Sequence, residues 1–155
     1  MASSSRAAWS RAVLVAGVVI ALDQITKALI RSSIALRATR HLLLGVTLDH
    51  TTNSGVAFSL LSGSAVTVTV LALIVLVVLI CYFARHSSQT LLWLPTGMIA
   101  GGALGNLIDR LRIGAVTDFI KFPDWPAFNV ADTAITLGVV ALVLLIGRGG
   151  SASSS

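Results

Sequence analysis

Residues Ala65 to Ala84 form 20 consecutive positions without a charge or a proline, dense in Leu, Val and Ile. A stretch of that length and composition spans the roughly 30 Å apolar core of a bilayer as one helix. Three further segments have the same character. Thr90–Ile108 is uncharged but holds Pro95 and four glycines, Gly97, Gly101, Gly102 and Gly105. Small residues allow close helix packing, which predicts a place inside the bundle for this segment. Residues 130–147 are apolar apart from Asp132 near the start, and residues 12–30 open with eleven apolar positions before Asp23, Gln24, Thr26 and Lys27. The chain as a whole is 55% hydrophobic and 11% charged. A soluble domain has about 25% charged residues, so a soluble fold is excluded, as is disorder. The expectation is an all-α membrane protein of four transmembrane helices, about 12–30, 65–84, 90–108 and 130–147, in one domain of residues 12–147. Ser- and Gly-rich tails, 1–11 and 148–155, are expected to be disordered.

The polar connections differ in kind. Residues 31–61 alternate apolar and polar positions around His41–His50, which predicts short strands, a small β-like cradle between spans 1 and 2. Residues 109–129 are expected to form a short helix or loop between spans 3 and 4. Arg6 and Arg11 ahead of an apolar stretch suggest a signal peptide, but no small-residue cleavage site follows Leu22, and an uncleaved first span fits better. Four spans put both termini on one side with Arg6, Arg11, Arg85 and Arg148. The long loops on the other side carry Arg31, Arg37, Arg40, Arg110, Arg112 and Lys121. Four charges against six mildly oppose a cytoplasmic N-terminus. The formal net charge of +5 suits anionic headgroups in a chain that lies mostly in lipid, and nucleic acid is not expected.

Ionisable groups at membrane depth are costly and mark function. There is no Glu; the six acids are Asp23, Asp49, Asp109, Asp118, Asp124 and Asp132. Asp23 and Lys27 share a helix face four residues apart and suit an internal ion pair. Asn53 lies in a glycine-containing turn. Asn106 and Arg110 share a face at the end of the third span, where Asp109 suits a local pair with Arg110. Asp118 and Asp132 are 14 residues apart with Pro123 and Pro126 between them. A fold-back would bring the two carboxylates together, where they would share one proton and activate water without a metal. The alternative for Asp132 is a dipole-favoured third helical position behind an Asn129 N-cap, and spacing alone leaves both open. His41, His50, His86 and the lone Cys81 make no metal-like cluster, and no serine- or metallo-hydrolase motif occurs.

Taken in order, these motifs resemble those of the lipoprotein signal peptidases (signal peptidase II), intramembrane aspartic peptidases of bacteria. Asp23-Gln-Ile-Thr-Lys27, Asn53-Ser-Gly55-Val-Ala-Phe58, Gly105-Asn-Leu-Ile-Asp-Arg110, Val116-Thr-Asp118-Phe-Ile and Phe128-Asn-Val-Ala-Asp132 each match a family motif. The resemblance implies Asp118 and Asp132 as the catalytic pair. Asp23, Lys27, Asn53, Gly55, Asn106, Asp109, Arg110 and Asn129 would support the site or bind substrate. It implies a prolipoprotein substrate cut just before a diacylglyceryl-modified cysteine, and no cofactor or metal. It also implies contact with membrane phospholipid, no obligate protein partner, and cyclic peptide inhibitors of the family binding at the dyad. Location in the bacterial cytoplasmic membrane with both termini inside, against the charge count, completes the expectation. Two other classes remain in view. A small proton-coupled exporter would use Asp23 but leaves the long loops unexplained. A non-enzymatic scaffold leaves the buried aspartates unexplained.

Overall fold

The computed structural model describes residues 2–42, 45–54, 65–89 and 91–151. Gly55 and Phe58, and the last residues of the C-terminal tail, lie outside them. Four helices, α1 (Ala2–Ser33), α2 (Ala65–His86), α3 (Trp93–Ile113) and α4 (Val130–Ser151), are joined by three strands, β1 (Thr39–His41), β2 (Thr47–Asn53) and β3 (Val116–Lys121). Three of the helices, over Ser4–Ser33, Val66–His86 and Val130–Gly147, are long and apolar enough to cross a membrane. Helix α3 is not among them: Pro95, the glycines, Asn106, Asp109, Arg110 and Arg112 dilute its apolar content. It packs against each of the other three helices and is the most enclosed of the four, in the interior place that its small residues predict.

Close approach explains that place. A Cβ on Gly101 would come within 2.8 Å of the Ala16 carbonyl oxygen on α1, and one on Gly102 within 2.5 Å of the Ala131 carbonyl oxygen on α4. Side chains there would force the helices apart. Helix α3 ends at Gly114, whose left-handed backbone (φ 73°) lets its N–H close on the Arg110 carbonyl.

The sheet has the order β1-β2-β3 and is antiparallel. The strands expected in the first long loop are present. The segment after α3 is a correction: residues 116–121 form a strand, not a helix or loop, because they pair with β2. The register shifts by one residue between Leu48 and Thr51, so β2 carries a bulge. His50 at that bulge fastens the sheet to the end of α1: its Nδ1 is 2.7 Å from the Ile34 carbonyl oxygen, and its own carbonyl accepts the Arg37 N–H. Ile30, Ile34 and Phe119 form the small core beneath. A second correction concerns residues 2–11, expected as a disordered tail and observed as the first turns of α1. Ala8 and Ala12 are buried against Phe83 and Leu92, which holds this Ser-rich stretch in the helix.

Candidate active site

The site lies where the sheet meets the C-terminal end of α3 and the first turn of α4. Strand alternation sends neighbouring side chains of β3 opposite ways. Thr117 and Phe119 face the end of α1, and Asp118 faces α4. From Lys121 the chain turns through Pro123–Pro126 and comes back, and Phe128 pairs with Ile120 (N–H to carbonyl oxygen 2.9 Å). The turn Phe122–Trp125, closed by the Trp125 N–H on the Phe122 carbonyl at 3.2 Å with Pro123 second and Asp124 at φ 58°, makes the fold-back, and Asn129 arrives beside Asp118.

Asn129 joins the two acids. Its Nδ2 donates to Asp118 Oδ1 at 2.7 Å. Its Oδ1 accepts the Asp132 N–H at 2.9 Å, while Asp132 Oδ2 accepts the Asn129 N–H at 3.2 Å. That reciprocal pair is a capping box opening α4, so the N-cap reading of Asp132 holds. The same carboxylate is nonetheless part of the polar cluster, because its Oδ1 accepts from Asn106 Nδ2 at 2.8 Å. The capping and the clustering are not alternatives.

Burial raises the pKa of the Asp118 carboxyl to about 6, the charge of Asp132 adds to the rise, and hydrogen bonds from Asn53 and Asn129 oppose it. Asn53 reaches Asp118 because Thr51 pairs with Asp118 in the sheet, which leaves Asn53 on the same face two residues along.

Behind the acids lies a fully buried charge cluster. Lys27 Nζ is 2.8 Å from Asp23 Oδ2 and 3.4 Å from Asp109 Oδ2, and it donates to Asn106 Oδ1 at 2.9 Å. Asp23 Oδ1 accepts the Ala131 N–H at 3.0 Å, which ties α1 to the start of α4. Asp109 does not brace Arg110. Consecutive helical residues point about 100° apart, and Asp109 instead accepts the Thr117 N–H at 2.9 Å and pairs with Arg31 at 3.5 Å. Arg110 and Asn106 share a face as their spacing predicts. They sit at one end of an apolar groove of about 330 Å³ between α2, α3 and α4. The Arg110 Nε–H is buried without a partner among the described residues.

Three residues outside the expected set take part. Arg31 donates to Thr117 Oγ1 at 3.0 Å, and Thr117 is fully buried beside Asp118. Gln24 Nε2 bridges Asp23 Oδ2 and the Gly105 carbonyl, each at 3.1 Å. Arg31 continues the four-residue spacing of Asp23 and Lys27 along an apolar helix, a periodic signal that would have found it. Gly55 falls outside the described residues. No cluster of His, Cys and Asp suited to a metal occurs among them.

Comparison with known proteins follows the same lines. The family described as Signal peptidase (SPase) II matches residues 15–147. A lipoprotein signal peptidase of Syntrophomonas wolfei is 43% identical over 129 residues, covering 83% of this chain and 87% of that protein. One of Paraburkholderia phytofirmans is 40% identical over 151 residues, covering 92% and 86%. A solved structure titled as a bacterial membrane enzyme is 31% identical with a TM-score of 0.76, covering 87% of this chain and 91% of its own. A second with the same description reaches 0.81 at 27% identity, covering 93% and 91%.

Proposed function

The chain belongs to the signal peptidase II family, and on that premise we propose that it removes signal peptides from prolipoproteins, cutting just before the diacylglyceryl-modified cysteine, with Asp118 and Asp132 as an aspartic dyad. The observation that carries this reading is the single amide of Asn129 hydrogen-bonded to both acids. Asp132 has an N–H donor on each carboxylate oxygen, an environment suited to the anion. Asp118 is buried with a raised pKa and holds the shared proton. Asp132 then takes a proton from the attacking water as Asp118 gives its own to the scissile carbonyl oxygen. When the tetrahedral intermediate collapses, Asp132 returns its proton to the leaving amine and Asp118 recovers one from the hydroxyl.

The groove along α3 supports the placement of substrate. Its walls of Leu71, Val75, Ile99, Ala103 and Ile135 suit an apolar signal-peptide segment. Asn106 and Arg110 at its end would meet the peptide backbone next to the dyad. The membrane is the bacterial cytoplasmic membrane, with both termini inside and the sheet outside. The exporter alternative requires an Asp23 that exchanges protons, and this Asp23 is fully buried, paired with Lys27 and bonded to Ala131.

Asp118→Asn and Asp132→Asn, each in the full chain, test the reading on a diacylglyceryl-modified prolipoprotein. Each should lose about 10³-fold or more in turnover with helix content unchanged. Turnover within tenfold of the parent in either variant would remove that residue from the dyad.

A further inference from the structure

At the end of the bundle opposite the acids, we propose a site for the phosphodiester of an anionic phospholipid. The N-terminal turns of α1 and the turn between α2 and α3 enclose a cavity of about 210 Å³. Arg11, Ser4, Ser87, Ser88, Gln89 and Trp93 line it. Its donors suit a phosphate: one guanidinium, three hydroxyls and an amide.

Four observations point to a lipid. First, the Arg11 guanidinium lies 5.7 Å above the centre of the Trp93 ring. A cation–π contact through the ring face uses none of the guanidinium N–H groups as hydrogen-bond donors, which leaves them for an anion. Second, the floor is tied together across segments. Ser5 Oγ and Ser87 Oγ are hydrogen-bonded at 2.8 Å, which joins α1 to the turn. Beneath them Ala8, Ala12, Phe83 and Leu92 form a buried cluster, with Trp9 set edge-on to Phe83 at 4.7 Å. Third, no acidic side chain competes. The nearest Asp in α1 is Asp23, twelve residues or about 18 Å along the helix from Arg11, and none occurs between residues 50 and 108. Fourth, two membrane-length segments end here, one beginning at Ser4 and one finishing at His86. The cavity therefore sits at headgroup depth, the level at which Trp and Tyr are enriched, and Trp9, Tyr82 and Trp93 pack against the buried cluster there.

A pocket differs from a diffuse basic surface in which arginine matters. Arg85 lies at the same end but outside the cavity lining. The full chain in detergent is titrated with short-chain phosphatidylglycerol or phosphatidylcholine, and bound lipid is counted by native mass spectrometry. Phosphatidylglycerol should bind more tightly. Arg11→Gln should weaken it about fivefold and Arg85→Gln less than about twofold, with prolipoprotein cleavage unchanged in both. Ser88→Ala, which alters no charge and leaves the Arg11–Trp93 contact in place, should weaken it about threefold and serves if Arg11→Gln does not fold. Inorganic phosphate at millimolar concentration should not displace the lipid. Equal losses for Arg11→Gln and Arg85→Gln, equal affinity for phosphatidylcholine, displacement by inorganic phosphate, or no loss in Ser88→Ala would each overturn the site.

Discussion

Replacing Lys27 by methionine keeps the length of the side chain and removes its charge. The consequence follows from three contacts. Lys27 Nζ sits 2.8 Å from Asp23 Oδ2, 3.4 Å from Asp109 Oδ2 and 2.9 Å from Asn106 Oδ1, with no exposed surface on its side chain. A thioether in its place would leave two buried carboxylates short of a counter-charge, and breaking a buried pair costs about 3–5 kcal/mol. Arg31, 3.5 Å from Asp109 and 29% exposed, offsets only part of this. Asp23→Asn should cost less, about 1–2 kcal/mol, because its side-chain oxygen can still accept the Ala131 N–H and Lys27 keeps Asp109. The double variant removes one negative and one positive charge together. It should therefore recover about 2 kcal/mol relative to the sum of the single changes. Stability is measured by thermal or denaturant unfolding in detergent micelles of fixed composition. Activity should not recover with it. Lys27 holds the Asn106 carbonyl and so turns the Asn106 amide N–H towards Asp132. A Lys27→Met variant within about 1 kcal/mol of the parent, or a double variant that regains full cleavage, would refute the reasoning.

The pH profile follows from Asp118. Its carboxyl titrates at about 6 instead of 3.8, so the protonated acid persists to higher pH than for an exposed aspartate. Measured kcat/KM should fall about tenfold per unit as pH rises above about 6, and a flat profile from about pH 5 to 8 would count against Asp118 as the proton donor. Arg110→Lys keeps the charge but loses the fork of N–H groups. It should lose about tenfold or more in cleavage, against less than twofold for Arg112→Lys, whose parent residue is exposed; equal behaviour would make Arg110 a surface anchor. Gly102→Val should lower stability by about 1–3 kcal/mol, since its Cβ would press on the Ala131 carbonyl and Ile135. Gly17→Ala, with open space around it, should be close to neutral by the same melting assay.

Periodicity along single helices was legible, and contacts between distant segments were not. The Asp23–Lys27 pair, the shared face of Asn106 and Arg110, and the interior place of the glycine-bearing α3 each follow from spacing within one helix. Strand β3 escaped because its pairing partner, β2, lies more than 60 residues earlier, beyond the whole of α2 and α3. The Asp109 pairing was misplaced for a related reason. Its neighbour in sequence points elsewhere, and its partners come from α1 and β3. Residues 2–11 carry no apolar period, and their helix is held by Phe83 and Leu92 from other segments.

The meeting of Asp118 and Asp132 needs both kinds of information. The prolines imply a turn, but a turn alone would bring two carboxylates into mutual repulsion. What accommodates them is the chemistry of position 129. An amide can donate through Nδ2 to Asp118 and accept through Oδ1 from the Asp132 N–H. A carboxylate there could only accept, and would add a negative charge beside the proton-sharing pair. Asn129→Asp should therefore be harsher than its near-identical shape suggests, losing the Asp118 contact while retaining the helix cap. If Asn129→Asp cleaves prolipoprotein as well as the parent at neutral pH, the amide is not what holds the pair together.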